Sequence, residues 1–98
     1  MFMSRDIMHC KPGKVKEMVT KFKKLSEILT EKGYSGLRIY TDFSGENFWT
    51  VVAEQEFEDL GKMAEMSRQA MSHKDFAEAM AGYHDVIQSG RRELYKVE

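Results

Sequence analysis

Hydrophobic and polar positions alternate along this chain with two different periods. A period of two, typical of strands, occurs in four segments: residues 2–10, 36–41, 47–55 and 91–97. A period of three to four, typical of helices, occurs in residues 15–29 and 58–71. The resulting order is strand, helix, strand, strand, helix, strand. This order predicts an α+β architecture, in which one four-stranded antiparallel sheet carries both helices on the same face.

The face of the sheet that carries no helix is predicted to be apolar. Its expected residues include Ile7, Trp49, Val51 and Tyr95. Because a large exposed apolar surface is unfavourable in water, a second copy of the chain is the expected partner. The pattern therefore predicts a homodimer that forms through the open sheet face.

Length and charge narrow the classes of partner. A chain of 98 residues predicts one domain, residues 1–98. Its 15 basic and 16 acidic side chains leave no excess of positive charge, so we expect no nucleic-acid or membrane partner. No run approaches the ~20 apolar residues of a membrane span, and no signal peptide is recognisable. The single cysteine, Cys10, cannot form an internal disulfide, and we expect a cytoplasmic protein.

Three short motifs lie between the predicted elements. Lys11-Pro12-Gly13-Lys14 opens the first helix, residues 72–76 follow the second helix, and residues 90–95 enter the last strand. With these motifs and this order of elements, nearly the whole chain resembles the dimeric α/β-barrel superfamily. The resemblance is to the antibiotic-biosynthesis monooxygenase, NIPSNAP-like and stress-responsive barrel groups. It implies a ferredoxin-like βαββαβ fold whose two sheets face each other in a homodimer.

Neither the motifs nor the resemblance predicts a cofactor. The chain has no Cys-x-x-Cys, no His-x-x-x-His and no glycine-rich phosphate loop, so we expect neither a metal nor a nucleotide. Heme-degrading members of the resembled group use an Asn, a Trp and a His. Here Asp6 stands at the position of the Asn, Glu54 or Gln55 near that of the Trp, and Met80 at that of the His. Heme turnover by that route is therefore not expected.

Two ionisable residues are candidates for catalysis. His73 begins a short helix after the second helix, where a neutral imidazole could act as a general base near pH 7. The alternative is a solvated residue at a helix start. Asp6, on the first strand, is the second candidate for accepting a proton.

Arg38 and Tyr40 allow two interpretations, because a single bulge inverts the faces of a strand. On the open face, Arg38 would join Arg5, His9 and Glu54 in charge pairs that link the two sheets of a dimer. On the helix side, Arg38 and Tyr40 would bind a carboxylate or enol beside Asp6. The sequence leaves both interpretations open.

Methionines are unusually frequent, with 8 in the chain. Flexible thioethers can line a pocket for varied apolar guests, and the alternative is ordinary filling of the core. The candidate ligand-binding residues between helices and sheet are Met8, Phe22, Met63, Met66, Phe76 and Met80.

Two functional hypotheses follow. The first is a homodimeric barrel protein that binds a small apolar or amphipathic molecule, fatty-acid-like or polyketide-like, between helices and sheet. The second, drawn from the resemblance, is a cofactor-free monooxygenase or isomerase acting on an enolisable ring, with His73 or Asp6 taking the proton. A dimeric interaction module without a ligand is a further possibility.

Overall fold

A four-stranded antiparallel sheet with helices on one face confirms the predicted α+β, ferredoxin-like architecture. The computed structural model describes residues 1–45 and 47–98. The strands lie in the order β2-β3-β1-β4. In chain order, the elements are β1 (Phe2–Cys10), α1 (Val15–Glu31), β2 (Arg38–Thr41), β3 (Thr50–Phe57), α2 (Leu60–Ser72), α3 (Lys74–Ala79), α4 (Tyr83–Val86) and β4 (Ile87–Lys96).

The two long helices pack to different depths. α1 buries Met18, Phe22 and Leu29 from its apolar stripe, whereas α2 has no fully buried residue. α1 ends at Glu31, and the predicted glycine cap follows at Gly33, whose φ of 86° is the left-handed conformation that favours glycine. Asp59 caps the start of α2: its carboxylate accepts a hydrogen bond of 2.9 Å from the Lys62 amide. In the described part of the chain, none of the helices is long and apolar enough to cross a membrane.

Two strands begin at places that the sequence pattern did not predict. β3 starts at Thr50 rather than at residue 47, because Trp49 has a φ of 63° and interrupts the extended backbone. β4 starts at Ile87, four residues early, and continues through Gly90. A Cβ at Gly90 would lie 2.8 Å from the Met8 sulfur, so this glycine permits close packing inside the strand instead of preceding the strand.

The composition of the open sheet face differs from the prediction. Ile7 and Tyr95 lie on it, but Val51 is wholly buried on the helix side and Trp49 precedes β3 in the loop. The open face instead presents mostly polar and charged side chains around Ile7 and Val52. Its predicted apolar character is therefore wrong.

The hydrophobic core lies beneath the N-terminal half of α1. Its fully buried members come from β1, α1, β3 and α4: Cys10, Met18, Phe22, Val51, Ala53 and Val86. Phe22 and Ala53 also border a cavity farther along the helix, so the core and the cavity share a wall.

Candidate functional site

A cavity of about 120 Å³ separates the sheet from α1, α2 and α3. Its wall is mainly apolar, with a few polar groups on the sheet side. The lining residues are Ser4, Asp6, Phe22, Leu25, Leu29, Leu37, Ala53, Gln55, Met63, Met66, Ala70, Phe76 and Arg92. We refer to this space as the helix–sheet cavity.

Half of the predicted site residues line this cavity. Those that line it are Asp6, Phe22, Met63, Met66 and Phe76. Met8 and Met80 do not line it; they are partly buried and pack against the core cluster around Cys10. For these two methionines, the structure supports core filling rather than the predicted ligand contact.

Two buried polar side chains lie side by side on the cavity floor. Ser4 and Gln55 are cross-strand neighbours on β1 and β3, and they are 8% and 5% exposed. The Gln55 amide donates a hydrogen bond of 2.7 Å from Nε2 to the Ser35 carbonyl. The Ser4 hydroxyl takes part in none of the side-chain hydrogen bonds among the described residues. Since every fully enclosed side-chain N or O atom there has a partner, this hydroxyl is not fully enclosed, and Ser4 lines the cavity.

An ion pair closes one end of the cavity. Asp6 on β1 lies opposite Arg92 on β4, and the guanidinium binds the carboxylate at two points, Nε to Oδ1 at 2.6 Å and Nη2 to Oδ2 at 3.1 Å. The hydrogen bond to Asp6 raises the pKa of Arg92 above its ordinary value. The Asp6 side chain is 24% exposed and that of Arg92 56%. Both carboxylate oxygens are therefore engaged, which does not favour Asp6 as a free proton acceptor.

His73 lies away from the cavity. It occupies the exposed junction between α2 and α3, does not line the helix–sheet cavity and makes no capping hydrogen bond through its side chain. The structure thus supports the solvated position rather than a base in the pocket. Within residues 1–45 and 47–98, no group of three or more His, Cys, Asp or Glu side chains is arranged to hold a metal ion.

Arg38 and Tyr40 lie on the open face of the sheet. Arg38 pairs with Glu54 in the strand register and Tyr40 pairs with Val52. Asp6 points to the opposite, helix-covered side, where it lines the cavity. The interpretation that placed Arg38 and Tyr40 beside Asp6 is therefore wrong.

The open face forms a shallow basin of about 660 Å³ with a charged wall. Arg5 lies between two carboxylates, 2.6 Å from Glu54 and 4.0 Å from Glu93. Glu93 also accepts hydrogen bonds from Arg91 at 3.2 Å and from the Tyr95 hydroxyl at 2.7 Å. The charges of this face are thus largely paired within one protomer.

The carboxylates of the open face are stabilised in their ionised form. Burial raises the pKa of Glu54, but hydrogen bonds from Arg5 and Tyr40 outweigh it, so the pKa of Glu54 lies below its ordinary value. Hydrogen bonds from Tyr95 and Arg91 likewise lower the pKa of Glu93.

Sequence reasoning did not identify Ser4, Gln55 or Arg92 as cavity residues. The two-residue period of β4 places Arg92 on one face with Leu94, but it does not show which residue of β1 lies opposite. That pairing depends on the strand register, and the sequence offered no signal for it.

No protein-family model matches this chain, and no curated protein matches it in sequence. Solved structures do match it in shape. An uncharacterised NIPSNAP domain protein from Burkholderia xenovorans superimposes with a TM-score of 0.83 at 17% identity, over 100% of this chain and 95% of its own. A NIPSNAP family protein from Agrobacterium tumefaciens gives 0.81 at 12% identity, over 99% and 92%.

A third solved structure, described as an antibiotic biosynthesis monooxygenase, has a TM-score of 0.75 at 14% identity and covers 100% of this chain and 99% of its own. At these identities, the similarity concerns the fold. The predicted resemblance is thereby confirmed: the chain has the ferredoxin-like fold shared by NIPSNAP family proteins and antibiotic biosynthesis monooxygenases.

Proposed function

We propose that this protein is a homodimer whose protomers each bind a small apolar or amphipathic molecule in the helix–sheet cavity. The single observation that carries the proposal is the cavity itself. It is bounded by apolar side chains from three helices and by a short polar strip on the sheet. This combination, an apolar wall with a few convergent polar groups, is the usual composition of a small-molecule site.

The cavity volume limits the size of the ligand. About 120 Å³ is well below the roughly 300–1,000 Å³ of pockets that hold drug-sized molecules. A single ring or a short chain suits this space. A long acyl chain or a fused polyketide, as the sequence suggested, requires α2 to move outward.

α2 is the wall best able to move. It contributes Met63, Met66 and Ala70 to the cavity, yet none of its residues is fully buried. Since few buried apolar contacts hold it, displacing α2 costs less free energy than displacing α1. The flexible thioethers of Met63 and Met66 can also adapt to the shape of a guest.

The proposed dimer forms through the open sheet face. The paired charges around Arg5 matter here, because burying an ion that already has its partner avoids the large cost of an unpaired buried charge. Tyr40 and Tyr95, 42% and 44% exposed, supply aromatic surface at the two edges of this face. The face also carries guanidinium and carboxylate groups together, so a twofold axis can bring opposite charges into register.

Binding is supported better than the alternative of a cofactor-free monooxygenase or isomerase. The described monooxygenase shares the fold, but neither predicted base is placed for proton abstraction. His73 is exposed outside the cavity, and both oxygens of Asp6 accept hydrogen bonds from Arg92. A cofactor-free monooxygenase or isomerase acting on an enolisable ring remains the second hypothesis, on the strength of that fold alone.

Native mass spectrometry, followed by denaturing extraction, tests the proposal. We expect a dimeric mass and a co-purified small ring or short-chain compound. If no compound co-purifies, the protein is titrated with toluene, and we expect shifts of NMR signals from residues that line the cavity. A monomer at micromolar concentration contradicts the proposed dimer, whereas the absence of both a co-purified compound and toluene binding contradicts the proposed site.

A further inference from the structure

The Asp6–Arg92 ion pair lies between the helix–sheet cavity and the protein surface. On its outer side lies a surface depression of about 300 Å³ that Asp6 and Arg92 also line, together with Tyr83 and His84. Asp6 and Arg92 therefore border both the helix–sheet cavity and the surface depression. Movement of the ion pair would join the depression to the cavity.

Arg92 is the member of the pair that is free to move. It belongs to β4, an edge strand, and its side chain is 56% exposed, whereas Asp6 lies on the central strand β1 and is 24% exposed. A guanidinium has five N–H donors, and Asp6 occupies two of them. Three donors thus remain for a ligand at the mouth of the cavity.

Among the side chains that line this mouth, guanidinium groups outnumber carboxylates. The depression is lined by two guanidiniums, Arg91 and Arg92, and by one carboxylate, Asp6. The positive charge of Arg91 is partly compensated by the Glu93 carboxylate, 3.2 Å away on the open face of the sheet. Asp6 and Arg92 neutralise each other, so an approaching anion meets no unpaired negative charge there and can accept hydrogen bonds from the N–H donors of Arg92 that Asp6 does not use.

We propose that the helix–sheet cavity takes a small carboxylic acid, with its carboxylate held by Arg92 at the mouth and its apolar body among Phe22, Met66 and Phe76. This inference rests on the proposed function, which it extends by naming the class of ligand. Arginine suits the role because its planar fork of donors matches the geometry of a carboxylate. The Ser4 hydroxyl on the cavity floor offers a further hydrogen bond to a ligand that carries a ring substituent.

Three ring compounds of similar size test the inference in the full-length protein by calorimetric or NMR titration. Benzoate carries the charge, benzamide is its neutral counterpart, and toluene has only the apolar body. Because hydrogen bonds to charged groups are stronger than neutral ones, we expect benzoate to bind the native protein about tenfold more tightly than benzamide. In Arg92→Gln this preference should disappear while toluene affinity is retained. In the matched control Arg68→Gln, on the exposed side of α2, the preference should persist.

The outcomes separate the inference from the proposed function. Equal affinities for benzoate and benzamide in the native protein overturn the inference but leave the site intact. A preference for benzoate that survives Arg92→Gln also overturns it, since another group then binds the carboxylate. If none of the three compounds binds the native protein, the proposed site is refuted and the inference falls with it. Where Arg92→Gln fails to fold, the NMR signals of the Arg92 guanidinium are followed while benzoate is added to the native protein: a shift supports the inference, and unchanged signals overturn it.

Discussion

Filling the helix–sheet cavity from α2 should stabilise the protein and abolish binding. Ala70 lies on the cavity-facing side of α2, and Ala70→Leu adds three carbon atoms that point into the space of about 120 Å³. At about 0.8 kcal/mol for each buried CH₂ group, complete burial would contribute up to about 2.4 kcal/mol. Because α2 is only partly buried, we expect a gain in the free energy of unfolding of about 1–2 kcal/mol.

Thermal unfolding followed by circular dichroism measures this gain. For a domain of this size, a change of 1 kcal/mol shifts Tm by roughly 4–8 °C, so the expected increase is readily resolved. The matched control is Ala64→Leu, the same substitution on the exposed side of the same helix. The control should change the free energy of unfolding by no more than about 0.5 kcal/mol and should leave toluene binding unaltered.

Stability and toluene binding must change together for the test to succeed. A filled cavity gives higher stability together with lost toluene binding, and helix propensity alone would affect Ala70→Leu and Ala64→Leu equally. Destabilisation of Ala70→Leu by more than about 1 kcal/mol would indicate overpacking, and hence that α2 and the sheet leave no such space. Toluene binding that persists in a stabilised Ala70→Leu protein would place the binding site elsewhere.

Two further predictions concern the open sheet face. Val52→Asp places like charges against each other across the proposed twofold axis, so sedimentation at micromolar concentration should find monomers. The control Leu60→Asp, on α2, should remain dimeric. A Val52→Asp protein that stays dimeric excludes this face as the interface. Because the folded-state pKa of Glu54 lies below its ordinary value near 4.5, its pairing with Arg5 stabilises the protein above that pH and is lost as the pH falls through the folded-state pKa. Glu54→Gln should therefore lose less stability than the native protein in acid-induced unfolding below pH 4.5. The exposed control Glu58→Gln should behave as the native protein. Equal acid sensitivity of the native and Glu54→Gln proteins would contradict the pairing.

The periodic segments were predictable because their information is local. The helical stripes placed Phe22, Met63, Met66 and Phe76 beneath the helices, and all four line the cavity. The alternation along β1 likewise placed Asp6 on the same side as Met8. Those features depend only on the conformation of one segment at a time.

The remaining features depend on how segments meet. The alternation in β3 put Trp49 and Val51 on one face, but nothing in the segment itself shows which face meets the helices. The left-handed residue Trp49 then delays the strand to Thr50, and the register opposite β1 directs Val51 inward and Val52 outward. The pairing of Arg92 with Asp6 is a register effect of the same kind, which is why the mouth of the cavity was missed.

The two long helices differ in how deeply they pack, and they have different roles in the fold. α1 joins both halves: Met18 packs in the dense core beside Cys10 and Val51, while Leu29 lines the cavity. α2 covers only the cavity and buries no residue fully. Since most of the apolar burial lies on the α1 side, residues facing the cavity from α2 can change with little cost to the core. This arrangement would let one ferredoxin-like framework accept different small guests through changes at Met63, Met66 and Ala70, with Arg92 selecting their charge.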